Sequence, residues 1–107
     1  MCKKTIMLAC GLGMSTNILV EKMKKIIADQ NIEYEVLAST TAQVEGIINK
    51  QPIDVLLLGP QVAYMANRLA EKYASQGVRV GVIDKDDYGL ARARRVLDLA
   101  ENLLKDG

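Results

Sequence analysis

The chain has 107 residues, of which half are hydrophobic and a quarter charged, with a formal net charge of +1. This length and composition predict one globular domain over residues 1–107 with its own core. The near-neutral charge and an aromatic content of 4%, all of it tyrosine, argue against a nucleic-acid surface. The sequence contains neither a secretory signal nor an apolar run close to the roughly 18 residues of a membrane span, so we expect a cytoplasmic protein without membrane insertion.

Histidine is absent, and the two cysteines are Cys2 and Cys10. The absence of histidine excludes Ser-His and Cys-His catalysis within the chain and most zinc sites. We therefore expect neither a cofactor nor a metal. Cys2 stands near the chain start and Cys10 at a predicted strand end, which favours reduced thiols over a disulfide.

Predicted strands and helices alternate along the chain. The strands are predicted at 5–9, 34–38, 55–58 and 78–83, the helices at 15–30, 41–50, 61–75 and 90–105, and a loop at 84–89. This alternation indicates an α/β fold, a four-stranded parallel sheet with helices on both faces. We predict the flavodoxin-like strand order 2-1-3-4, which makes the loops after strands 1, 3 and 4 converge at the carboxyl edge of the sheet.

The segment after the first strand combines a nucleophile with an anion-binding pattern. Cys10 is followed by Gly11 and Gly13, which permit unusual backbone angles, and then by Ser15 and Thr16 at a helix start. A helix N-terminus presents unpaired N–H groups and a partial positive charge, so it can bind a phosphoryl group and favours thiolate over thiol. The alternative interpretation is a buried apolar cysteine with glycines that serve only the turn.

Three segments together resemble the IIB components of the bacterial sugar phosphotransferase system, in the lactose/cellobiose/chitobiose subgroup. They are the cysteine loop at 10–16, the run LLGPQVAYM at 57–65, and VID followed by YG within 82–89. The resemblance implies a phosphotransferase. Cys10 would accept phosphate from a phosphohistidine of a IIA component and pass it to a β-linked disaccharide, such as cellobiose, chitobiose or lactose, held by the membrane IIC component.

The resemblance also implies which residues hold the phosphate and where the protein works. The implied phosphate-binding residues are Gly11, Leu12, Gly13, Met14, Ser15 and Thr16. The protein would be cytoplasmic and peripheral to the membrane through IIC. Gln61, Tyr64 and Tyr88 are predicted to lie beside the loop or contact partners; alternatively, Tyr64 belongs to the core and Gln61 caps a helix. Leu12 and Met14 would form part of a flat docking surface.

Two charged clusters each have a functional and a structural interpretation. The acidic residues fit a cation site or, preferably, a solvated turn: Asp84, Asp86 and Asp87. The arginines fit a partner-docking patch or, by default, a solvated helix face: Arg92, Arg94 and Arg95.

The competing enzyme class is a low-molecular-weight tyrosine phosphatase or an arsenate reductase, which share the fold and a loop that begins with cysteine. The phosphatase loop carries an arginine six residues after its cysteine, where this chain has Thr16. The segment Asp87-Tyr88 is similar to the general-acid segment of those phosphatases, but the missing arginine argues against hydrolysis. A third alternative is a regulatory module that only binds.

Overall fold

Four parallel strands form one sheet in the computed structural model, which describes residues 4–11 and 14–105. The strands are β1 (Lys4–Cys10), β2 (Tyr34–Thr40), β3 (Val55–Leu58) and β4 (Arg79–Val82). Their order, β2-β1-β3-β4, confirms the predicted order. In this register Cys10 stands beside Thr40 of β2, and Ala9 beside Leu58 of β3. The ends of these three strands therefore lie together at one edge of the sheet.

Helices connect the strands and cover both faces of the sheet. The α-helices are α1 (Met14–Asp29), α2 (Val44–Lys50), α3 (Ala66–Tyr73), α4 (Lys85–Gly89) and α5 (Ala93–Lys105). Short 3₁₀ segments flank some of them, at Thr41–Gln43, Pro60–Met65 and Ala74–Gln76. In the described part of the chain, no helix is both long and apolar enough to cross a lipid bilayer.

Alternate residues of β1 face two separate cores, as expected for a strand covered on both sides. Ile6, Leu8 and Cys10 face a cluster that includes buried residues of α1 and α5. Met7 and Ala9 face the opposite cluster, to which α2 and α3 contribute. The whole of β3 is buried as well. Because both faces are packed, the position of Cys10 at the end of β1 is fixed by the core of the domain.

The predicted loop over 84–89 is wrong, because this segment contains the short helix α4. Asp84 is its N-cap, and the carboxylate of Asp84 accepts the backbone N–H of Asp86 at 2.9 Å. The backbone N–H of Tyr88 donates to the Asp84 carbonyl at 2.9 Å and closes the helical turn. The acidic residues thus start a helix instead of forming an irregular turn.

Other differences concern helix boundaries. The helix predicted over 61–75 begins as a 3₁₀ segment at Pro60, where Val62 has non-helical angles (φ −118°, ψ 21°), and becomes α-helical only at Ala66. The helix predicted over 90–105 begins at Ala93. Ala91 has a φ of +50°, which a continuous right-handed helix excludes.

Candidate functional site

Segments that follow three different strands surround one thiol at the carboxyl edge of the sheet. Cys10 ends β1 and is 4% exposed. Thr16 lies in the first turn of α1 and Tyr88 in α4, and both hydroxyls reach the Cys10 sulfur. Gly59 directly follows β3, and its N–H donates to the Ala9 carbonyl of β1 at 2.9 Å. The loops after β1, β3 and β4 therefore meet where the topology predicted them.

Cys10, Thr16 and Tyr88 form a triangle of polar atoms. Thr16 Oγ1 donates to Cys10 Sγ at 2.9 Å, Tyr88 Oη donates to the same sulfur at 3.3 Å, and the two oxygens lie 3.1 Å apart. All three side chains are buried. Each hydroxyl carries a single proton, so the two hydroxyls together can donate only two hydrogen bonds among the three atom pairs of the triangle. A thiolate attracts both protons more strongly than a thiol, because hydrogen bonds to an ionised acceptor are the stronger ones.

Helix α4 places Tyr88 against the thiol and is held by two sets of polar contacts. Asp84 caps its first turn, as described above. In the middle of the helix, the Asp87 carboxylate lies 3.5 Å from Arg92 and 3.1 Å from Arg95, with only 16% of its side chain exposed. The acidic cluster therefore orients Tyr88. Sequence reasoning placed Tyr88 at the edge of the site but missed this support.

Gly59 lies in a loop predicted to reach the site, but the sequence analysis gave it no role of its own. A Cβ atom added to Gly59 would lie 3.0 Å from Cys10 Cβ, 3.1 Å from Gln61 Oε1 and 3.5 Å from Tyr88 Cε1. Only a residue without a side chain lets β3 and its following segment approach Cys10 this closely. A glycine placed directly after the most apolar strand was the available signal.

The other two residues predicted at the edge of the site have different environments. Gln61 is exposed, and its Oε1 lies 3.1 Å from the position of a Cβ atom on Gly59. Tyr64 is 82% exposed, which excludes the alternative that it belongs to the core. Both stand in the segment Pro60–Met65 that follows β3.

Part of the predicted phosphate loop lies outside the described residues, namely Leu12 and Gly13 and the side chains of Met14 and Ser15. Their predicted phosphate contacts and docking surface stay predictions. Gly11 is exposed, does not adopt a positive φ, and has no atom within 4 Å of an added Cβ. Its backbone conformation is therefore open to other residues, unlike the position of Gly59.

Comparison with known proteins gives one consistent family. The family model for the lactose/cellobiose-specific IIB subunit of the sugar phosphotransferase system (PTS) matches residues 5–99. The cellobiose-specific EIIB component of Lactococcus lactis subsp. lactis (strain IL1403) is 46% identical over 108 aligned residues, covering 97% of this chain and 99% of that protein. The galactose-specific EIIB component of L. lactis subsp. cremoris (strain MG1363) is 45% identical with the same coverage. The chain belongs to the lactose/cellobiose-specific IIB family of the sugar phosphotransferase system.

Two further matches agree with this assignment, and a third agrees in fold. The oligo-beta-mannoside-specific EIIB component of Bacillus subtilis (strain 168) is 33% identical, covering 94% of this chain and 96% of that protein. A solution structure of the cellobiose-specific IIB component from Borrelia burgdorferi superposes with a TM-score of 0.77 at 32% identity, covering 97% of this chain and 94% of that one. The lactose-specific IIB domain of Streptococcus pneumoniae has the same fold, with a TM-score of 0.75 at 12% identity, covering 96% and 92%.

As a IIB component, the chain is a phosphotransferase that relays a phosphoryl group during sugar uptake, in a system that also contains IIA and IIC components. This function favours the relay over the phosphatase and arsenate reductase alternatives. The site agrees, since Thr16 stands where a phosphatase has its arginine and directs its hydroxyl to the sulfur.

The three arginines of the predicted patch form ion pairs within the chain. Arg94 pairs with Asp98 at 3.2 Å and donates to Gln30 at 2.9 Å, while Arg92 and Arg95 pair with the Asp87 carboxylate of α4. Within residues 4–11 and 14–105, no group of three cysteine or acidic side chains is placed to hold a metal ion.

Proposed function

We propose that Cys10 is the residue through which this IIB component relays phosphate. It would receive the phosphoryl group from a phosphohistidine of IIA and pass it to a β-linked sugar bound by membrane IIC, at the cytoplasmic face and within a single IIB domain over 1–107. The observation that carries the proposal is the Cys10 sulfur, which accepts hydrogen bonds from two buried hydroxyl groups at the carboxyl edge of the sheet.

The transfer consists of two displacements at phosphorus. In the first, the Cys10 thiolate forms an S–P bond while the N–P bond of the donor breaks. The electron pair of the N–P bond stays on that nitrogen, and the donor histidine leaves as neutral imidazole with a proton on its other nitrogen. In the second, a sugar hydroxyl forms the new O–P bond, its proton passes to solvent, and the S–P electron pair returns to sulfur as thiolate. Backbone N–H groups at the start of α1 are suited to holding the negative phosphoryl oxygens, since a helix N-terminus attracts anions.

The relay needs a phosphocysteine that survives in water until its acceptor arrives. A phosphatase arginine stabilises the transferring group, including during attack by water, and one such contact contributes roughly 100-fold in rate. Thr16 occupies that position here, with its hydroxyl 2.9 Å from Sγ. We therefore expect negligible hydrolysis of aryl phosphates.

Partner docking is supported by an apolar rim, which we define as Ile18, Tyr64 and Leu90. These are the large hydrophobic side chains found exposed among the described residues, at 59%, 82% and 62%. They stand on segments that follow β1, β3 and β4, the segments that surround Cys10. Aromatic and aliphatic side chains of this kind are enriched at protein interfaces, and IIA and IIC each have to reach the same thiol.

For the sugar that IIC holds, we propose a chemical class and not an individual compound. The relatives are named for cellobiose, galactose and oligo-beta-mannosides. Cellobiose and oligo-beta-mannosides are β-linked glycosides and support that class for the sugar that IIC holds, whereas galactose is a monosaccharide. A transfer assay with the cognate IIC and a panel of β-linked disaccharides would identify it.

Phosphorylation of Cys10 tests the proposal directly. The protein is incubated with the general phosphate donors of the system and its IIA partner, and the modified residue is mapped by mass spectrometry. We expect phosphate on Cys10, complete loss of transfer in Cys10→Ser, and wild-type transfer in the matched variant Cys2→Ser. Phosphate on another residue, or transfer that survives Cys10→Ser, would reject the assignment.

A further inference from the structure

Tyr88 is in hydrogen-bonding contact with the reacting sulfur, yet it is not part of the cysteine loop. Its hydroxyl lies 3.3 Å from Cys10 Sγ and 3.1 Å from Thr16 Oγ1, on a side chain that is 8% exposed. The N-cap Asp84 and the ion pair of Asp87 with Arg95 hold α4, and with it Tyr88, in place. A tyrosine that only filled space would not need its hydroxyl directed at the thiol.

We propose that Tyr88 is a positioning residue which, with Thr16, holds the Cys10 sulfur as a hydrogen-bonded thiolate and thereby makes phospho-Cys10 a better phosphoryl donor. This inference rests on the proposed function of Cys10. It assigns to a residue of α4 the control of how readily the relay discharges.

The free and the phosphorylated sulfur differ in how strongly they accept hydrogen bonds. As a thiolate, the sulfur carries a full negative charge and accepts both hydroxyl protons in charge-assisted bonds. When Cys10 is phosphorylated, the sulfur is bonded to phosphorus and its charge has moved to the phosphoryl oxygens, so it becomes a weak acceptor. The bonds from Thr16 and Tyr88 therefore stabilise the discharged form more than the phosphorylated one. Breaking the S–P bond becomes more favourable by the difference between the hydrogen-bond energies of the thiolate and of the phosphorylated sulfur.

The same hydrogen bonds oppose the effect of burial. A buried thiol resists ionisation because its charged form loses hydration, whereas hydrogen bonds to the thiolate favour it. Removal of the Tyr88 hydroxyl should therefore disfavour the thiolate by the strength of one charge-assisted bond, about tenfold or more.

The charges near this site come from several elements. On α4, Asp84 and Asp86 are exposed, and the Asp87 carboxylate faces two arginines at the start of α5. The strand beside β1 contributes the neutral Thr40, and the segment after β3 contributes the neutral Gln61. Tyr88 is a titratable side chain that donates a hydrogen bond to Cys10.

The first measurement needs no partner protein. In a Cys2→Ser background, the rate of Cys10 alkylation by iodoacetamide is followed against pH for wild type and Tyr88→Phe. We expect the midpoint to rise by about one pH unit in Tyr88→Phe, which corresponds to the tenfold effect. Tyr73→Phe is the matched control, because Tyr73 is equally buried but belongs to the core on the other face of the sheet. Its midpoint should not move.

A second variant tests the same bond in the opposite direction. Site-specific replacement of Tyr88 by 3-fluorotyrosine keeps the ring and the hydroxyl, and the fluorine makes the phenol a stronger donor. The alkylation midpoint should then fall below that of wild type. An unchanged midpoint in both Tyr88→Phe and the fluorinated protein would overturn the inference.

The second measurement is the equilibrium constant for phosphoryl exchange between phospho-IIA and Cys10. Above the alkylation midpoints of both proteins, Tyr88→Phe should shift this equilibrium about tenfold towards phospho-Cys10. Below both midpoints the shift should vanish, since a protonated thiol gains little from the donor. A shift that is the same at every pH, or none, would contradict the role in discharge. If wild-type Cys10 accepts no phosphate, the proposed function fails, while the alkylation profile still decides whether Tyr88 holds the thiolate.

Discussion

Replacing Gly59 by alanine tests whether the close approach of two strands is what positions Cys10. Gly59 has φ −63° and ψ 154°, angles that alanine adopts readily, so the substitution introduces no backbone strain. The new Cβ would instead lie 3.0 Å from Cys10 Cβ, about 0.4 Å closer than ordinary van der Waals contact. The strands cannot separate without stretching the 2.9 Å hydrogen bond from Gly59 to Ala9.

The expected destabilisation can be worked from these contacts. An extra methyl group in a well-packed site costs about 1–3 kcal/mol. The loss of glycine flexibility in the unfolded chain returns about 0.4–1 kcal/mol. The contact with Gln61 Oε1 relaxes easily because it is the end of a flexible, exposed side chain, whereas Cys10 Cβ belongs to a buried strand. We therefore expect Gly59→Ala to lower the free energy of unfolding by about 1–2 kcal/mol.

Urea denaturation measures this loss, with Gly46→Ala as the matched control. Gly46 lies within α2, is exposed, and has no atom within 4 Å of an added Cβ, so alanine should stabilise the protein by about 0.5–1 kcal/mol. The two variants should shift the urea midpoint in opposite directions. The alkylation profile of Cys10 should change only in Gly59→Ala. If Gly59→Ala is as stable as wild type and Cys10 alkylates normally, glycine is not required at this contact.

Two further predictions concern individual hydroxyl groups. Thr16→Val removes the hydroxyl that donates to Cys10 Sγ at 2.9 Å and keeps the side-chain shape, so it should raise the pH midpoint of Cys10 alkylation by about one unit or more. Thr16→Ser keeps a hydroxyl and should have the wild-type midpoint. Equal midpoints in all three proteins would contradict the hydrogen bond. Burial, with a smaller contribution from Glu101, raises the pKa of Tyr34 above its usual value of 10.0. The stability linked to Tyr34 is therefore fully present below about pH 10 and lost as pH rises through the raised value. Urea unfolding across this range should show a shallower alkaline decline in Tyr34→Phe than in wild type, and identical declines would refute the linkage.

The fold could be predicted because its signals are distributed along the whole chain. Val55–Leu58 has the predicted bounds, since a short and entirely apolar run between Asp54 and the break at Gly59-Pro60 is typical of a buried strand. Helix α1 differs from its prediction by one residue at each end. The parallel sheet followed from the alternation of strands and helices, whereas the strand order was predicted from the likeness to flavodoxin-like domains. Helix starts were harder to predict, because the change from 3₁₀ to α geometry at Ala66 depends on local packing.

The site was only partly predictable. Cys10 and Thr16 stand six residues apart in one loop, so local spacing was sufficient to group them. Tyr88 lies 72 residues from Thr16, and its direction depends on α4, a five-residue helix too short to give a periodic pattern. The importance of Gly59 depends on the distance between two strands, which the sequence does not contain. Contacts of this kind become visible only when the chain is folded.

The arrangement around Cys10 separates a relay from a hydrolase by where its donors point. In a phosphatase, preorganised charge is directed at the transferring phosphoryl group, so it assists any attacking nucleophile, including water. Here Thr16 and Tyr88 direct their hydroxyls at the Cys10 sulfur, which would be the leaving atom in the proposed relay. Donors on the leaving atom lower the barrier for every acceptor alike, but only modestly. Discrimination between sugar and water would then have to come from the IIC partner, which brings the sugar hydroxyl into line and excludes solvent from the site. With this division of roles, the proposed phosphocysteine would be stable in water and would discharge on docking to IIC.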